Sequence, residues 1–405
     1  MGIFKGSQNK KVYGSFSKRV LQNSLLVLLS AALTLGAIEV TLRLLDIPAW
    51  DTEIRAGWRA LRSPEPPINE LGFRGQPIRY ANDAIVVLLL GDSQVESLAC
   101  PAASMPERLL EESLQAVDSR YKVFSVGAGG YGNDQEYLAL IEYFAKYRAN
   151  SVILWQTMGN DIWNNIFPTN IPKDGTIKPT FWLEHGELKG PNFQLGEIIR
   201  KPAQTKLGVM LNTIFHPQKG MDASWERHLP PPYMPLAQSD GQFLIGWDPS
   251  DPKNTNPFLG LENLENEKSH FSVYLVPPSE RMKYGIELTR RLLGKIESLS
   301  SANHSDFFIL DVLRPYEQTI IANWDKDDQV VQRFRGKFYR TSGRQILVNK
   351  NHINDGFPIY SIPVTLKDWA VSETDTHLNC AGNRQVMHDL ADQILMHSDN
   401  RNKAN

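Results

Sequence analysis

Four short apolar segments, separated by stretches of helical periodicity, restrict the fold of this chain more than any other feature of its sequence. They are Ile85–Leu90, Lys122–Val126, Ser151–Trp155 and Asp306–Leu313. Consecutive apolar residues over such lengths are typical of strands buried on both faces of a parallel sheet. Apolar residues recur at helical spacing over Pro106–Val117, Asp134–Tyr147, Glu280–Leu299 and Ala381–His397. The alternation of strands and helices predicts an α/β fold with right-handed crossovers.

An uncharged segment of 19 residues, Val20 to Ile38, follows an N-terminal stretch with five basic residues and no acidic one. A helix over this segment is about 28 Å long, close to the thickness of the hydrocarbon core of a bilayer. We predict a membrane anchor over 20–45, with the basic segment 1–19 in the cytoplasm and the rest extracytoplasmic, in the periplasm or at the cell surface. A cleaved signal peptide and a buried core helix are the alternatives. The anchor is favoured because the apolar run exceeds a signal-peptide core and is followed by Glu39 and Arg43, with no small-residue cleavage site.

The charge of the chain argues against nucleic acid as a partner. With 43 Lys and Arg against 45 Asp and Glu, the formal net charge is −2, which gives no excess of positive charge to bind phosphates. The nine histidines and two cysteines show none of the spacings of metal sites, so we expect no metal and no cofactor. Cys100 and Cys380 can form one bridge in an oxidising compartment, but two buried free thiols are the simpler expectation.

Composition divides the rest of the chain into regions. Residues 46–83 are rich in Pro, Arg and Gly and are predicted to be a linker followed by a loop that leads into the domain. A folded domain is predicted over 84–397, with 398–405 as a tail. Periodicity is lost over 163–278, and because so long a loop is uncommon in a compact domain, we interpret this region as an insertion that caps the sheet. Four tryptophans are expected to form a small separate core and not to bind ligand: Trp163, Trp182, Trp247 and Trp369.

Polar residues follow the predicted strands where each strand ends. Gly91-Asp92-Ser93 follows the first strand, a glycine-rich run from Gly127 to Gly132 ends the second, and Gly159-Asn160-Asp161 follows the third. Asp375-Thr376-His377 precedes the last predicted helix. Because the carboxyl ends of parallel strands meet at one edge of a sheet, we expect these segments to form a common site.

These blocks, in this order, resemble the SGNH (GDSL-type) hydrolase and acyltransferase superfamily over about residues 72–397. Gly91-Asp92-Ser93 matches the nucleophile block, Gly130 the glycine block, Gly159-Asn160-Asp161 the asparagine block and His377-Leu378-Asn379 the histidine block. The resemblance implies a flavodoxin-like three-layer sandwich around a central parallel sheet. The segment Asn69 to Gly75 also looks like the lead-in of membrane-anchored bacterial members, including ones associated with surface polysaccharide.

The resemblance implies a role for each matched residue. Ser93 would be the nucleophile and His377 its general base, a task for which histidine is suited near neutral pH. The oxyanion would be held by the backbone N–H groups of Ser93 and Gly130 and by the side-chain amide of Asn160. The expected intermediate is an acyl-Ser93 enzyme, resolved by water in an esterase or by a sugar hydroxyl in a transferase.

The acid of the triad departs from the pattern of the family. The family usually places it three residues before the histidine, where this chain has Thr374. We choose Asp375, which can still reach the imidazole of His377 from the same loop. Glu373 and Asp368 stay open as substitutes.

Two other interpretations use the same residues. Gly127, Gly129 and Gly132 satisfy the spacing of a dinucleotide fingerprint, although they follow the second strand and no acid ends the third. A tight turn under the active site is the favoured explanation of these glycines. His377 could instead be a structural residue that caps the last helix.

The sequence therefore predicts a serine esterase or O-acyltransferase that acts on acyl esters of an extracytoplasmic glycan or glycolipid. Acetyl is the expected acyl group. Polysaccharide-assembly proteins are possible partners. The alternatives are a catalytically silent glycan-binding protein with the same fold and a lipid esterase at the membrane surface.

Overall fold

The computed structural model describes residues 9–44, 67–167, 178–191, 207–208, 229–236, 243–244, 264–326, 328–334, 336–372 and 375–404. The chain divides into two compact units. Residues 1–52 and 200–218 form the first, and residues 53–199 and 219–405 form the second.

Helix α1 (Asn9–Leu44) is the main element of the first unit. Its residues Val20–Leu42 are long and apolar enough to cross a membrane, and 6% of their most apolar window is buried within the chain. Leu21, Leu25 and Leu29 are exposed, which argues against a buried core helix. The predicted apolar helix is confirmed, and its orientation in a membrane stays a prediction.

A parallel five-stranded sheet organises the second unit. Its strands are β1 (Ile85–Gly91), β2 (Tyr121–Gly127), β3 (Ser151–Trp155), β7 (Asp306–Leu313) and β10 (Ile359–Pro363), numbered with the five strands outside this sheet. Across the sheet they run β10-β7-β3-β1-β2, and every neighbouring pair is parallel. Counted along the chain within this sheet, the order is 2-1-3-4-5, the flavodoxin-like order of a doubly wound fold. The switch in strand order falls between β1 and β3, where such folds place their sites.

Helices cover both faces of this sheet. One layer contains α4 (Asn133–Phe144), α5 (Met158–Ile166), α6 (Glu280–Ala302) and α8 (Gly343–Asn354), and the other contains α3 (Pro106–Gln115) and α9 (Cys380–Ala404). Alternate residues of β1 serve the two layers, with Leu88 and Leu90 in one core and Val87 and Leu89 in the other. A strand buried on both sides favours apolar residues at every position, which is why β1 could be predicted from the sequence.

The remaining elements are short. Helix α2 (Ser93–Glu96) follows β1, and α7 (Pro315–Ala322) follows β7. β4 (Trp182–Glu184) and β5 (Glu187–Lys189) form an antiparallel pair. β6 (Phe243–Leu244), β8 (Gln329–Phe334) and β9 (Lys337–Ser342) form a second sheet.

The predicted α/β class is confirmed. The four predicted strands are present as β1, β2, β3 and β7, whereas β10 was not predicted. The periodicity does not end at Trp163 as expected, because α5 continues to Ile166. Trp163 itself packs in the main core on one face of the sheet, so its expected place in a separate small core is wrong. Most of the insertion 163–278, and residues 46–66 of the predicted linker, lie outside the described residues.

Candidate active site

The turn after β1 presents Ser93 at the carboxyl edge of the sheet. Gly91 ends the strand, and a Cβ there would lie 2.7 Å from Val95 Cγ2, so this close turn requires glycine. The buried Asp92 caps α2, since its Oδ1 accepts the N–H of Gln94 at 2.9 Å. Ser93 is then the first residue of α2 and is half-buried.

His377 and Asp375 reach this serine from the loop before α9. His377 Nε2 lies 2.8 Å from Ser93 Oγ, and His377 Nδ1 lies 2.5 Å from Asp375 Oδ1. Asp375 Oδ1 also accepts the backbone N–H of His377 at 3.1 Å. Partial burial opposes ionisation of Asp375, but these hydrogen bonds outweigh it and hold the pKa of the carboxyl below its usual range. An ionised Asp375 fixes the proton of the imidazole on Nδ1, which leaves Nε2 free to accept the proton of Ser93.

Of the two candidate acids that the structure describes, Asp375 is the one whose carboxylate contacts the imidazole. Asp368 is exposed, and its backbone carbonyl accepts a hydrogen bond from the side chain of Asn379 at 2.7 Å. Glu373 lies outside the described residues. The alternative in which His377 caps the last helix is wrong, because Asn379 Oδ1 accepts the N–H groups of Ala381 and Gly382 at 3.0 and 2.9 Å.

The three predicted oxyanion donors lie on the segments that follow β1, β2 and β3. Among the described residues, the backbone N–H groups of Ser93 and Gly130 have no acceptor. Gly130 has φ +75°, a conformation that favours glycine. The amide of Asn160 donates to Asp92 Oδ2 at 3.2 Å, so it lies beside the serine turn with one N–H used there. The neighbouring Gly129 N–H donates to Glu96 at 2.8 Å and is not available.

Packing accounts for two of the glycines that fit a dinucleotide fingerprint. A Cβ on Gly127 would lie 2.8 Å from the carbonyl oxygen of Gly91, and one on Gly132 would lie 2.6 Å from Asn165 Oδ1. Because glycine has no Cβ, β1, β2 and α5 can approach one another closely near the serine turn.

A set of contacts, which we call the clasp, joins the end of α2 to the start of α9. Cys100 and Cys380 form a disulfide with their Cα atoms 5.5 Å apart, so the expectation of two free thiols is wrong. Asn383 Nδ2 donates to Ser97 Oγ at 2.8 Å.

Two further side chains brace the same region. Gln94 Oε1 accepts the N–H of Leu378 at 3.3 Å, directly after the predicted base. The buried Arg74 donates to the carbonyl oxygens of Glu96, Ser97 and Cys100 at 2.9, 2.6 and 2.7 Å. Arg74 lies in the segment from Asn69 to Gly75, and the sequence alone predicts no role for it.

Buried carboxyl groups lie below the serine turn. Asp92, Glu136 and Asp161 are fully buried, and burial raises the pKa of each above its usual range. Asp134 forms a buried ion pair with Lys178. Among the residues that the structure describes, no group of three or more His, Cys, Asp or Glu side chains could hold a metal ion.

Comparison with protein-family models and with characterised proteins finds no match. One match among solved structures is the crystal structure of a GDP-L-fucose synthetase from Naegleria fowleri, 10% identical, which covers 79% of this chain and 96% of that chain. Its TM-score is 0.19, too low to carry an argument about fold or function. The sheet and the helix of this chain define its class: it is a parallel, doubly wound α/β protein with an N-terminal apolar helix.

Proposed function

We propose that the chain is a membrane-anchored serine esterase or O-acyltransferase of the SGNH type. Its substrate would be an acyl ester of an extracytoplasmic glycan or glycolipid, and acetyl is the expected acyl group. The observation that carries this proposal is the continuous path of hydrogen bonds from Asp375 through His377 to Ser93. A serine alone is a weak nucleophile, and this arrangement of base and acid is the one that activates it.

The first half of the reaction forms an acyl-enzyme. Ser93 Oγ attacks the carbonyl carbon of the ester while its proton passes to His377 Nε2, and Asp375 stabilises the imidazolium. The oxyanion of the tetrahedral intermediate would be held by the N–H groups of Ser93 and Gly130 and by the second amide N–H of Asn160. The intermediate collapses, the bond to the alcohol oxygen breaks, and the alcohol leaves with the proton of His377.

The second half returns the serine to its starting state. Water or a sugar hydroxyl gives its proton to His377 Nε2 and attacks the carbonyl carbon of acyl-Ser93. The bond to Ser93 Oγ then breaks, and Oγ recovers the proton from His377. The product is a free acid with water and a new ester with a sugar hydroxyl.

The membrane and glycan parts of the proposal rest on other features. The helix over Val20–Leu42 is long enough to anchor the chain, and the basic residues before it favour a cytoplasmic N-terminus. The segment from Asn69 to Gly75 supports a glycan, through its likeness to members associated with surface polysaccharide. The disulfide between Cys100 and Cys380 is consistent with an oxidising compartment.

The test is covalent labelling of the full chain in detergent with a fluorophosphonate probe, followed by mapping of the adduct by mass spectrometry. We expect the adduct on Ser93 and its loss in Ser93→Ala and His377→Ala. Ser298→Ala is the matched control, because Ser298 is a helical serine far along the chain from the site, bonded to the carbonyl of Gly294. Folded protein that stays unlabelled would refute the proposal and favour a glycan-binding role.

Substrate preference then separates the glycan from the lipid. The chain is offered an acetylated oligosaccharide and 4-nitrophenyl palmitate at equal concentration. We expect release or transfer of acetate from the sugar at the higher kcat/KM. Preference for the palmitate ester would identify a lipid esterase at the membrane surface.

A further inference from the structure

Arg314 stands at the edge of the sheet that carries the serine turn. Gly91, Trp155 and Leu310 are neighbours in register across β1, β3 and β7, so Gly91 and Leu310 are about 10 Å apart. Arg314 follows the end of β7, four residues after Leu310. Ser93 and Arg314 therefore both rise from the carboxyl edge, on strands separated by β3.

The guanidinium of Arg314 has no anionic partner within the described part of the chain. No carboxylate or carbonyl there accepts a hydrogen bond from it, although the side chain is half-buried. The nearby Glu317 is already engaged, because its Oε1 bonds Lys350 Nζ at 3.0 Å and its Oε2 accepts the backbone N–H of Arg314 at 2.9 Å. The N–H donors of the Arg314 side chain are therefore available to an anionic ligand, and the hydrogen bonds of a guanidinium to a carboxylate or phosphate are among the stronger ones in proteins.

His270 connects Arg314 to the predicted catalytic residues. Its ring packs 5.8 Å from that of Trp163. The charges of Arg314, Asp92 and His377 all act on His270, so these side chains lie near one another. Burial among protein groups, with Arg314 and His377 adding to it, lowers the pKa of His270 to about 4, so the imidazole is neutral near pH 7.

Two tyrosines lie near Arg314, and both are neutral. The side chains of Tyr274 and Tyr316 interact with each other, and the charge of Arg314 acts on both. Burial raises the pKa of each hydroxyl above its usual value, so neither can supply a negative charge to Arg314. The charge of Arg314 is therefore not neutralised by these neighbours, and an anionic ligand can bind it.

We infer that the substrate carries a negatively charged oxygen group, a carboxylate or a phosphate, close to its ester, and that Arg314 binds this group. The planar guanidinium can donate two parallel hydrogen bonds to either anion. This inference rests on the proposed function, which supplies the ester, and narrows the substrate to an acidic glycan or a phosphate-bearing glycolipid.

The experiment compares three acetate esters that share one ring. 4-Acetoxybenzoate carries a carboxylate, 4-acetoxyphenyl phosphate carries a phosphate, and 4-acetoxybenzamide is the neutral reference. Hydrolysis by the full chain in detergent gives kcat/KM for each ester, and the ratio of anionic to neutral ester is the readout. The same measurement is made with Arg314→Gln, Arg314→Lys and Arg291→Gln. Arg291 is the matched control, because it is exposed on α6 and paired with Glu287 at 2.8 Å.

We expect wild type to favour at least one anionic ester by tenfold or more. Arg314→Gln should bring the ratio near one, Arg314→Lys should retain part of it, and Arg291→Gln should keep all of it. Whichever anion shows the larger ratio identifies the carboxylate or the phosphate. A ratio near one in wild type, or one that Arg314→Gln leaves unchanged, overturns the inference while the proposed function stands. If Arg314→Gln does not fold, the reduced ratio of Arg314→Lys decides the same question.

Binding to Ser93→Ala protein keeps the inference testable without turnover. Dissociation constants of the three esters are measured by ligand-observed NMR. Tighter binding of an anionic ester, lost in Ser93→Ala combined with Arg314→Gln, supports the anion site even if the wild-type chain hydrolyses none of them. In that case the proposed function fails and the inferred anion site survives.

Discussion

Glu107 should make the stability of the second unit fall as pH rises through neutrality. It lies in the first turn of α3 with no exposed surface. Burial raises its pKa from 4.5 to about 7, against the opposing effect of hydrogen bonds from Ser125 and Gln76. Because the folded state holds this proton more tightly than the unfolded state, the contribution is complete below pH 4.5 and is lost as pH rises through 7.

The hydrogen bonds of Glu107 explain why the protonated form fits. Glu107 Oε1 accepts the N–H of Gln76 at 2.5 Å, and Oε2 lies 2.8 Å from Ser125 Oγ. Ser125 Oγ also lies 2.9 Å from the carbonyl oxygen of Arg74 but has one proton for these two acceptors. A protonated Glu107 donates to Ser125, which then donates to Arg74, and every group has a partner.

The perturbation is Glu107→Gln, whose amide reproduces these hydrogen bonds and does not titrate. A pKa shift from 4.5 to about 7 is worth about 3 kcal/mol in total. The variant should gain about 2.5 kcal/mol in free energy of unfolding relative to wild type between pH 5 and pH 8. Urea unfolding of both full chains in detergent, at those two pH values, measures the gain.

A matched control on the same helix isolates the effect of burial. Glu112 is exposed on α3 and lies 3.9 Å from Arg384, so Glu112→Gln should change stability little, and equally at both pH values. The reasoning is refuted if Glu107→Gln destabilises the chain at pH 8, or if its effect does not depend on pH.

Three further predictions concern the site and the clasp. Asn160→Ala should lower kcat about 100-fold, the usual cost of losing one oxyanion donor, and an unchanged kcat would remove Asn160 from that role. Asp375→Asn should lower kcat by between about 10² and 10⁴, whereas Asp368→Asn, which changes an exposed carboxylate, should not; equal losses in both would contradict the assignment. Replacing Cys100 and Cys380 by serine should lower the free energy of unfolding by about 3 kcal/mol, below the limit of about 5.6 kcal/mol for a sequence separation of 280. A reductant should bring wild type to the same urea midpoint and leave the variant unchanged; a reductant without effect on wild type would argue that the bridge is not formed.

The strands that could be predicted from the sequence are those covered by helices on both faces of the sheet. β1, β2, β3 and β7 are mostly apolar because both faces of each strand are covered. β10 lies at the edge of the sheet, and its burial alternates along Ile359–Pro363, with three of the five residues exposed. Five residues of mixed character ending in proline do not differ from a loop by pattern alone.

Residues of the candidate site could be predicted where a sequence motif contains them. The buried acidic residues around it could not be predicted. Ser93 and His377 stand in recognisable blocks, so their pairing could be expected although 284 residues separate them. Glu107, Glu136 and Asp161 sit in first turns of helices, where acidic residues usually face solvent. Their burial comes from the packing of distant segments, which no local pattern contains.

The clasp has a consequence for the order in which a newly made chain becomes complete. Synthesis delivers the serine turn and strands β1 to β3 before α9. His377 lies directly before α9, so we expect it to reach Ser93 once α9 has packed against α3. A nascent or truncated chain that ends before residue 375 lacks both Asp375 and His377. Under the proposed function, this order keeps the chain inert until α9 has docked.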